Sequence, residues 1–388
     1  MREARLGEVC ELHYGKSLGD YHSSSFDEFS IRVFGTNGPI GWCKTPLFDQ
    51  PTIVVGRKGA YRGVRLSHSP SWTIDTAYYT TISDPNVDLT WLYYRLLVVD
   101  INRMDSGSAI PSTKREDFYS VRIRIPALRC QQRAAATLAA YDDLIENNRR
   151  RIQLLEQSVR LLYKEWFVHL RFPGHEHVKL TADVPKGWRK TSIGEACMPG
   201  DGIQTGPFGS QLHASDYTDE GVPVIMPKDI AGNRISTDSI ARIPEALADS
   251  LGRHRMAAGD VIYGRRGDIG RRAFITKRSD GWFCGTGCLR LRPDPAVVIP
   301  RYFFDALGSP ETAGTIVARA KGATMPNLNT SLIASAPLLV PPPLLQREYV
   351  DQVQAAFDLV EILDAQNAKL TAARDLLLPR LMSGELVA

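Results

Sequence analysis

The chain repeats itself, and this duplication limits the folds that it can adopt. A basic, glycine-rich segment at 54–63 (VVGRKGAYRG) returns at 261–272 (VIYGRRGDIGRR). A polar segment at 106–118 (SGSAIPSTKREDF) returns at 320–332 (AKGATMPNLNTSL), so both copies keep the same order of motifs. Because a duplicated series of motifs forms one structural unit per copy, the 388-residue sequence predicts two similar domains in tandem.

Each copy continues into a short apolar run with proline that ends in Gln-Arg, and then into a long helical pattern. We align Gln132 of the first run with Gln346 of the second. After these runs, seam residues recur at spacings of three and four, from Leu138 to Trp166 and again from Val353 to Leu381. The sequence therefore predicts one long helix at the end of each copy.

The strict spacing of the seams favours a coiled coil. Helices of roughly 36 residues would be about 55 Å long, and they need a partner to bury such a seam. Two ordinary core helices are the alternative, but a period of 3.5 favours pairing of the two helices with each other. Pro379 and Gly384 are predicted to end the second helix. The central seam residues are Asn148, Ile152, Leu155, Leu363, Asn367 and Leu370, and the two asparagines are predicted to hydrogen-bond across an antiparallel pair.

The predicted fold class is α+β. Short β-rich runs separated by Gly, Pro, Ser and Asp turns indicate two mixed domains, separated by two long helices that form an antiparallel coiled coil with pseudo-two-fold symmetry. The predicted boundaries are 1–127 for the first domain, 128–171 for the central helix, 172–340 for a linker and the second domain, and 341–388 for the C-terminal helix.

Positive charge is concentrated in the repeated glycine-rich turns. The whole chain is only mildly basic, with 47 Lys and Arg against 43 Asp and Glu. By contrast, the stretch 253–272 carries six arginines against Asp260 and Asp268. The first copy carries four bases around three glycines, namely Arg57, Lys58, Arg62 and Arg65. Glycine lets the backbone approach a phosphate, while neighbouring Arg and Lys side chains pair with the phosphate or reach the edge of a nucleobase. A solvated charged face is the alternative.

Further loops carry short polar groups on tight glycine frames. The stretch 202–217 places Thr205, Ser210 and Gln211 around Gly206 and Gly209. Its predicted first-copy counterpart is 14–21, with Lys16 and Ser17, and the stretch 35–42 carries Thr36 and Asn37 on a similarly tight frame. Asn and Gln can read adenine by two hydrogen bonds, whereas an ordinary surface loop is the alternative reading of each stretch.

The sequence lacks the common catalytic motifs. Residues 10–17 (CELHYGKS) have Cys10 where a phosphate loop needs its first glycine, and no lysine follows an acidic residue at the D/E-x-K spacing of metal-dependent nucleases. Cys284 and Cys288 have no second pair at zinc-finger spacing, and His175 and His177 fit a solvated loop better than a metal site. We therefore expect no enzyme activity and no metal in this chain.

Scattered cysteines and the hydropathy pattern indicate a cytoplasmic protein. The six cysteines are spread along the chain and the N-terminal stretch has no apolar signal region. No segment approaches the roughly 18 uninterrupted apolar residues of a membrane span. The expectation is a soluble protein without a membrane partner.

Taken together, these motifs resemble the specificity (S) subunit of type I restriction-modification systems. The resemblance extends over the whole chain and rests on PFGS at 207–210, the RKG and RRG turns, the SGSAIP and KGATMPN elements, and the helix ending in LLPRLMSGEL at 377–386. It implies that each domain is a target-recognition domain that reads one half of a bipartite DNA site, and that the helices set the gap. The first copy departs from the pattern because YGKSLGD at 14–20 lacks the PFGS string.

The resemblance also implies partners and cofactors. Two modification subunits, which are adenine methyltransferases, and two ATP-driven restriction subunits are expected around the chain. S-adenosylmethionine, ATP and Mg²⁺ are expected on those partners and not on this chain. The alternative that the residues leave open is a scaffold of two α+β modules on a coiled coil that binds proteins and not DNA.

The predicted contacts to double-stranded DNA fall in the loops of both copies. In the first copy they are Lys16, Ser17, Thr36, Asn37, Arg57 and Lys58. In the second they are Thr205, Phe208, Ser210, Gln211, Lys228, Arg265, Arg266, Arg271, Lys321 and Thr324.

Overall fold

The chain folds into two compact units. A computed structural model describes residues 1–104, 110–181, 184–208, 211–320 and 327–386. The first unit comprises Met1–Arg151 and Ile362–Ala388, and the second comprises Ile152–Glu361. Both long helices therefore contribute residues to both units.

The first unit combines a four-stranded antiparallel sheet with smaller sheets. The four-stranded sheet has the order β2-β8-β5-β6, a three-stranded sheet has the order β4-β3-β7, and β1 pairs with β9. The strands are β1 Arg2–Arg5, β2 Cys10–Tyr14, β3 Ile31–Gly35, β4 Gly38–Cys43, β5 Thr52–Gly56, β6 Val64–Ser67, β7 Ser71–Thr73, β8 Ala77–Ile82 and β9 Arg122–Ile125. The helices are α1 Leu6–Val9, α2 Leu89–Leu97, α3 Arg115–Ser120 and the long α4 Leu128–Tyr163.

The second unit repeats this arrangement. Its four-stranded sheet has the order β13-β21-β18-β19, its three-stranded sheet has the order β17-β14-β20, and β12 pairs with β22. The strands are β10 Leu180–Thr181, β11 Val184–Pro185, β12 Arg189–Ser192, β13 Ile203–Thr205, β14 Val222–Ile225, β15 Ile230–Ala231, β16 Arg234–Ile235, β17 Ala241–Ile243, β18 Val261–Gly264, β19 Arg272–Phe274, β20 Phe283–Cys284, β21 Cys288–Leu291 and β22 Pro337–Val340. The helices are α5 Glu245–Ser250, α6 Pro300–Leu307, α7 Pro310–Ala320, α8 Thr330–Ala334 and the long α9 Pro343–Ser383.

Strand pairing supports the duplication inferred from the motifs. Strands β2, β8, β5 and β6 pair in the same order and the same antiparallel sense as β13, β21, β18 and β19. In both three-stranded sheets one neighbour is antiparallel and the other is parallel. The mixed α+β class predicted from the sequence is therefore confirmed.

Helices α4 and α9 run antiparallel, and many of their seam residues are buried in the cores of the two units. In the first unit, Asn148 Nδ2 donates to Asn367 Oδ1 at 3.1 Å, and Arg374 Nη1 donates to Asp142 Oδ1 at 2.6 Å. Partner numbers on α9 fall as those on α4 rise, which defines the antiparallel sense. In the second unit, the Trp166 ring lies 6.0 Å from the Tyr349 ring, in a core that also includes Val159 and Val353. Of the other predicted seam residues, Ile152 and Leu363 are buried, and Leu155 and Leu370 are half-buried.

The ends of both helices differ from the prediction. The α-helical hydrogen bonding of α4 stops at Tyr163 and continues as a π-helical turn over Lys164–Val168. Pro379 lies inside α9, which ends at Ser383, so the prediction that this proline ends the helix was wrong. Proline removes one backbone donor, but Leu381 and Met382 beyond it are buried in the core of the first unit and hold the last turn in place. Gly384 then ends the helix at a φ of 79°.

A glutamine at the start of each long helix binds equivalent backbone groups in the two units. Gln131 Oε1 accepts from the Asp88 backbone N–H at 2.8 Å, and Nε2 donates to the carbonyls of Asn86 and Pro126. Gln346 likewise accepts from the backbone N–H of Ile299 and donates to the carbonyls of Val297 and Pro341. The alignment of Gln132 with Gln346 was thus wrong by one residue, because Gln131 is the buried member.

The pair of asparagines in the seam gives a first testable prediction. We expect Asn148→Ala to lower the free energy of unfolding by about 1–2 kcal/mol, because the Asn367 amide then loses its partner in a buried seam. Asn147→Ala is the matched control, because that neighbour is exposed. Chemical denaturation measures both, and equal losses for the two variants would contradict a role for the buried pair.

Candidate nucleic-acid interface

Separate loops of the first unit meet at one edge of its four-stranded sheet. Strands β2 and β5 both run antiparallel to β8, so their C-terminal ends lie beside the start of β8. The Thr36 carbonyl accepts from the Gly63 N–H at 2.9 Å, and the Gly59 N–H donates to the Pro111 carbonyl at 3.0 Å. We call this set of segments the first loop cluster; it comprises 15–17, 36–37, 57–63, 72–76 and 110–113.

The second unit assembles equivalent segments at the same edge of its own sheet. The Arg265 N–H donates to the Gly287 carbonyl at 2.9 Å, and the Thr286 hydroxyl donates to the Pro207 carbonyl at 3.0 Å. Pro227 packs on Gly287. We call this set the second loop cluster; it comprises 205–208, 226–228, 265–271, 285–287 and 327–328.

The two repeated motifs are joined by the same hydrogen bond in both clusters. The Thr113 N–H donates to the Arg57 carbonyl at 2.9 Å, and the Leu328 N–H donates to the Arg265 carbonyl at 2.9 Å. Isolated bridges between Lys58 and Ser112, and between Arg266 and Asn327, continue the match. Motifs that lie more than 50 residues apart in the sequence therefore form one surface in each unit.

Two glycines show which polar loops correspond. A Cβ atom at Gly15 would overlap the carbonyl oxygen of Ile74, and one at Gly206 would overlap the carbonyl oxygen of Gly285. Both glycines directly follow the first strand of the four-stranded sheet. The predicted match of the segment at 14–21 with the loop that begins at Gly206 therefore agrees with the structure.

Arginines of the basic turns, together with Arg115 of α3, contact exposed aromatic rings. The Arg57 and Arg115 guanidinium carbons lie 4.7 and 4.0 Å from the centroid of the Tyr14 ring, which is 49% exposed. In the second unit, the Arg265 guanidinium carbon lies 6.0 Å from the Phe208 centroid, and Phe208 is 56% exposed. Rings placed in this way attract the cations and fix their orientation.

Arg265 is more buried than its place in a basic turn suggested. Its residue is 8% exposed, and burial together with the neighbouring Arg266 guanidinium lowers its pKa. Arg266 itself is exposed. The two consecutive arginines therefore differ in role, since only Arg266 projects freely from the turn.

Several exposed basic residues of the two clusters lack acidic partners within the part of the chain that the structure describes. Lys16, Lys58 and Arg266 are exposed and make no ion pair there, whereas Arg271 Nε donates to Asp268 Oδ2 at 2.8 Å. Lys228 is exposed, and its Nζ lies 3.4 Å from the Ser239 carbonyl. Basic side chains without an acidic partner, on adjacent loops, create a local positive field that attracts a polyanion.

The remaining predicted contacts divide into three groups. Ser17 and Asn37 are exposed, and Thr36 and Thr205 are half-buried. Gln211 is half-buried and its backbone N–H donates to the Phe208 carbonyl at 2.8 Å, so it stabilises its own loop. Three predicted residues lie outside the described part of the chain, namely Ser210, Lys321 and Thr324.

A buried histidine supports the start of the second polar loop. Burial lowers the pKa of His254, which favours the neutral ring. Its Nδ1 lies 2.8 Å from the Thr205 carbonyl, and its Nε2 accepts from Arg253 Nε at 3.1 Å. His254 thus fixes the strand end from which Gly206 and Phe208 extend.

Sequence reasoning missed Arg115 and misjudged Arg62. Arg115 follows the SGSAIP motif and reaches Tyr14 only through the fold. Arg62 was counted among the bases of the first turn, but it is 3% exposed and its guanidinium is bound to backbone carbonyls. No local pattern in the turn distinguishes Arg62 from its basic neighbours, because its partners lie at residues 101–104.

The described residues contain neither a metal-binding group nor a membrane span. Nowhere among them do three or more His, Cys, Asp or Glu side chains gather in an arrangement that could hold a metal ion. Within the same residues, every helix is too short or too polar to cross a membrane.

Comparisons with known proteins agree on one family. Residues 1–157 match the type I restriction modification DNA specificity domain. Over 353 residues, the chain is 24% identical to the type I restriction enzyme MjaIX specificity subunit of Methanocaldococcus jannaschii, covering 89% of this chain and 79% of the relative. It is 21% identical to the HindI specificity subunit of Haemophilus influenzae, covering 81% of this chain and 82% of the relative. The fold is similar to that of the S subunit of a type I restriction-modification system from M. genitalium, with a TM-score of 0.63, 19% identity, and coverage of 98% of this chain and 96% of that one.

Proposed function

We propose that the chain is a specificity subunit of a type I restriction-modification system, a non-catalytic subunit that reads a bipartite site in double-stranded DNA. The match of residues 1–157 to the DNA specificity domain of such systems, and the similarity to specificity subunits over most of the chain, support this proposal. Each unit would read one half of the site through its own loop cluster. The long helices would carry the surfaces on which methyltransferase subunits dock.

The observation that carries this proposal is the recurrence of the loop cluster. Each unit brings a polar glycine loop, a basic turn and part of the second repeated motif to the same edge of its own four-stranded sheet. Unpaired bases such as Lys58 and Arg266 supply contacts to phosphate, which place a protein on DNA. Arginines held against rings, such as Arg57 and Arg115, supply oriented donors for base edges.

The chemistry of modification and cleavage would then belong to partners. We propose a complex with two modification subunits and two restriction subunits, in which S-adenosylmethionine, ATP and Mg²⁺ bind to those partners. A DNA reader needs no catalytic group of its own, since a few side chains at base edges discriminate between sequences.

Substitution of one exposed basic residue in each loop cluster tests whether the chain binds DNA through these clusters. We expect Lys58→Ala and Arg266→Ala each to weaken DNA binding and to reduce the slope of log affinity against log salt by about one, because each loses one phosphate contact. Fluorescence anisotropy with a labelled 40-base-pair duplex of mixed sequence measures both quantities at several salt concentrations.

Arg278 provides a control with the same change of charge, because it lies beyond the opposite end of strand β19 from the basic turn. Arg278 is exposed and follows the C-terminal end of β19, whereas the basic turn precedes its start. Arg278→Ala should leave affinity and salt slope unchanged. A scaffold that binds only proteins would show no salt-dependent DNA affinity in the unsubstituted chain, and that result would refute the proposed function.

A further inference from the structure

The basic turn of the first unit projects a large aromatic side chain into solvent. Tyr61 is 79% exposed, more than any other large apolar residue among those described. It lies between the exposed Lys58 and the start of β6, and within the first loop cluster. Exposed aromatic surface of this size has an unfavourable hydration free energy, which a binding partner would relieve.

The residue after Tyr61 is clamped from several directions. Arg62 Nη2 donates to the carbonyls of Ile101, Asn102 and Met104 at 2.9–3.1 Å. The Arg62 N–H donates to Asn102 Oδ1 at 2.9 Å, and Asn102 Nδ2 donates to the Arg62 carbonyl at 3.2 Å. These bonds hold the backbone on the C-terminal side of Tyr61 in place.

The chemistry around Tyr61 suits bases better than phosphates. Lys58 on the same turn provides the charge that attracts the DNA backbone. A phenol ring adds no charge, but it contacts base faces, base edges and the methyl group of thymine. Because the clamp has already ordered the turn, little conformational entropy remains to be lost when DNA binds.

We propose that Tyr61 is a specificity-determining residue that contacts bases in the half-site read by the first unit. This proposal rests on the proposed function of the chain. Arg62 is then a positioning residue, which holds the turn and does not touch DNA.

The second unit has no equivalent ring in its turn. Counting from Arg57 and from Arg265, Tyr61 corresponds to Ile269, which is half-buried and packs on the core of the second unit. The two clusters therefore present different groups to DNA. An effect of Tyr61 should be confined to one half of a bipartite site.

Selection from a random pool tests this inference on the full-length chain. The probe is a pool of 60-base-pair duplexes with a randomised centre, from which bound duplexes are sequenced for the unsubstituted chain, Tyr61→Ala and Tyr61→Phe. For Tyr61→Ala we expect a loss of about tenfold in base preference at positions of one half-site, an unchanged second half-site and an unchanged salt slope. Tyr61→Phe should retain the preference, because the ring remains.

Three comparisons make the outcome decisive. The half-site affected by Tyr61→Ala should be the one affected by Arg57→Ala. Leu144→Ala removes another exposed apolar side chain of the first unit, on α4 and outside the loop cluster, and should change nothing. Thermal unfolding of Tyr61→Ala should match that of the unsubstituted chain, since the side chain makes few contacts to lose.

Two failures are distinguishable. If the unsubstituted chain enriches no sequence, the proposed function itself fails. If it enriches two half-sites and Tyr61→Ala enriches the same two with the same preference, or weakens both equally, the inference about Tyr61 is overturned while DNA reading stands.

Discussion

Gln131→Ala is expected to lower the free energy of unfolding of the first unit by about 3 kcal/mol. The substitution removes three hydrogen bonds at a fully buried site and leaves the Asp88 N–H and the carbonyls of Asn86 and Pro126 without their partner. Each unsatisfied buried group costs about 1 kcal/mol or more. The loss should be large because Asp88 also caps α2, whose Trp91 N–H donates to the Asp88 carboxylate at 2.8 Å.

The neighbouring residue provides the control for this prediction. Gln132 is exposed, so Gln132→Ala should change the free energy of unfolding by no more than about 0.5 kcal/mol. Urea denaturation, followed by hydrogen exchange of α2 to locate the loss, measures both variants. Similar values for Gln131→Ala and Gln132→Ala would show that the buried glutamine does not hold the long helix to its domain.

Exchange of residues 1–127 for the corresponding part of a relative with a different target is expected to change one half of the DNA site completely. All segments of the first loop cluster lie before residue 127, and those of the second lie between 205 and 328. An exchange of residues 1–127 therefore replaces the whole first loop cluster and leaves the second one unchanged. The exchange keeps Gln131 and both long helices, so the other half-site and the gap should be preserved.

Mapping of methylated sites in the reconstituted complex reads out this exchange. The reciprocal exchange of 172–340 should change the opposite half-site and serves as the control. Poor packing between the foreign domain and residues such as Leu138 and Leu381 would appear as a lower melting temperature, which separates a folding defect from altered reading. A change in both half-sites after the first exchange would contradict one reader per unit.

The position of the candidate interface could largely be predicted from the sequence, but the roles of its individual residues could not. The repeated turns correctly located the loops that meet in each unit, because glycine and charge patterns are local in sequence. The roles of adjacent residues depended on contacts that no local pattern encodes. Arg62 is bound to carbonyls of residues 101–104, Arg265 is covered while Arg266 is free, and Arg115 reaches Tyr14 from another segment.

The sequence by itself determined the duplication, the α+β class and the antiparallel seam, because periodic apolar spacing and repeated motifs report which faces must be buried. Even the pairing of Asn148 with Asn367 follows from two seams of matching register. Only the tertiary structure decided that Gln131 and not Gln132 matches Gln346, and that α9 continues through Pro379. The physical reason is that both outcomes are set by buried hydrogen bonds and core contacts between distant segments, whose free energy exceeds the local preference of a single residue.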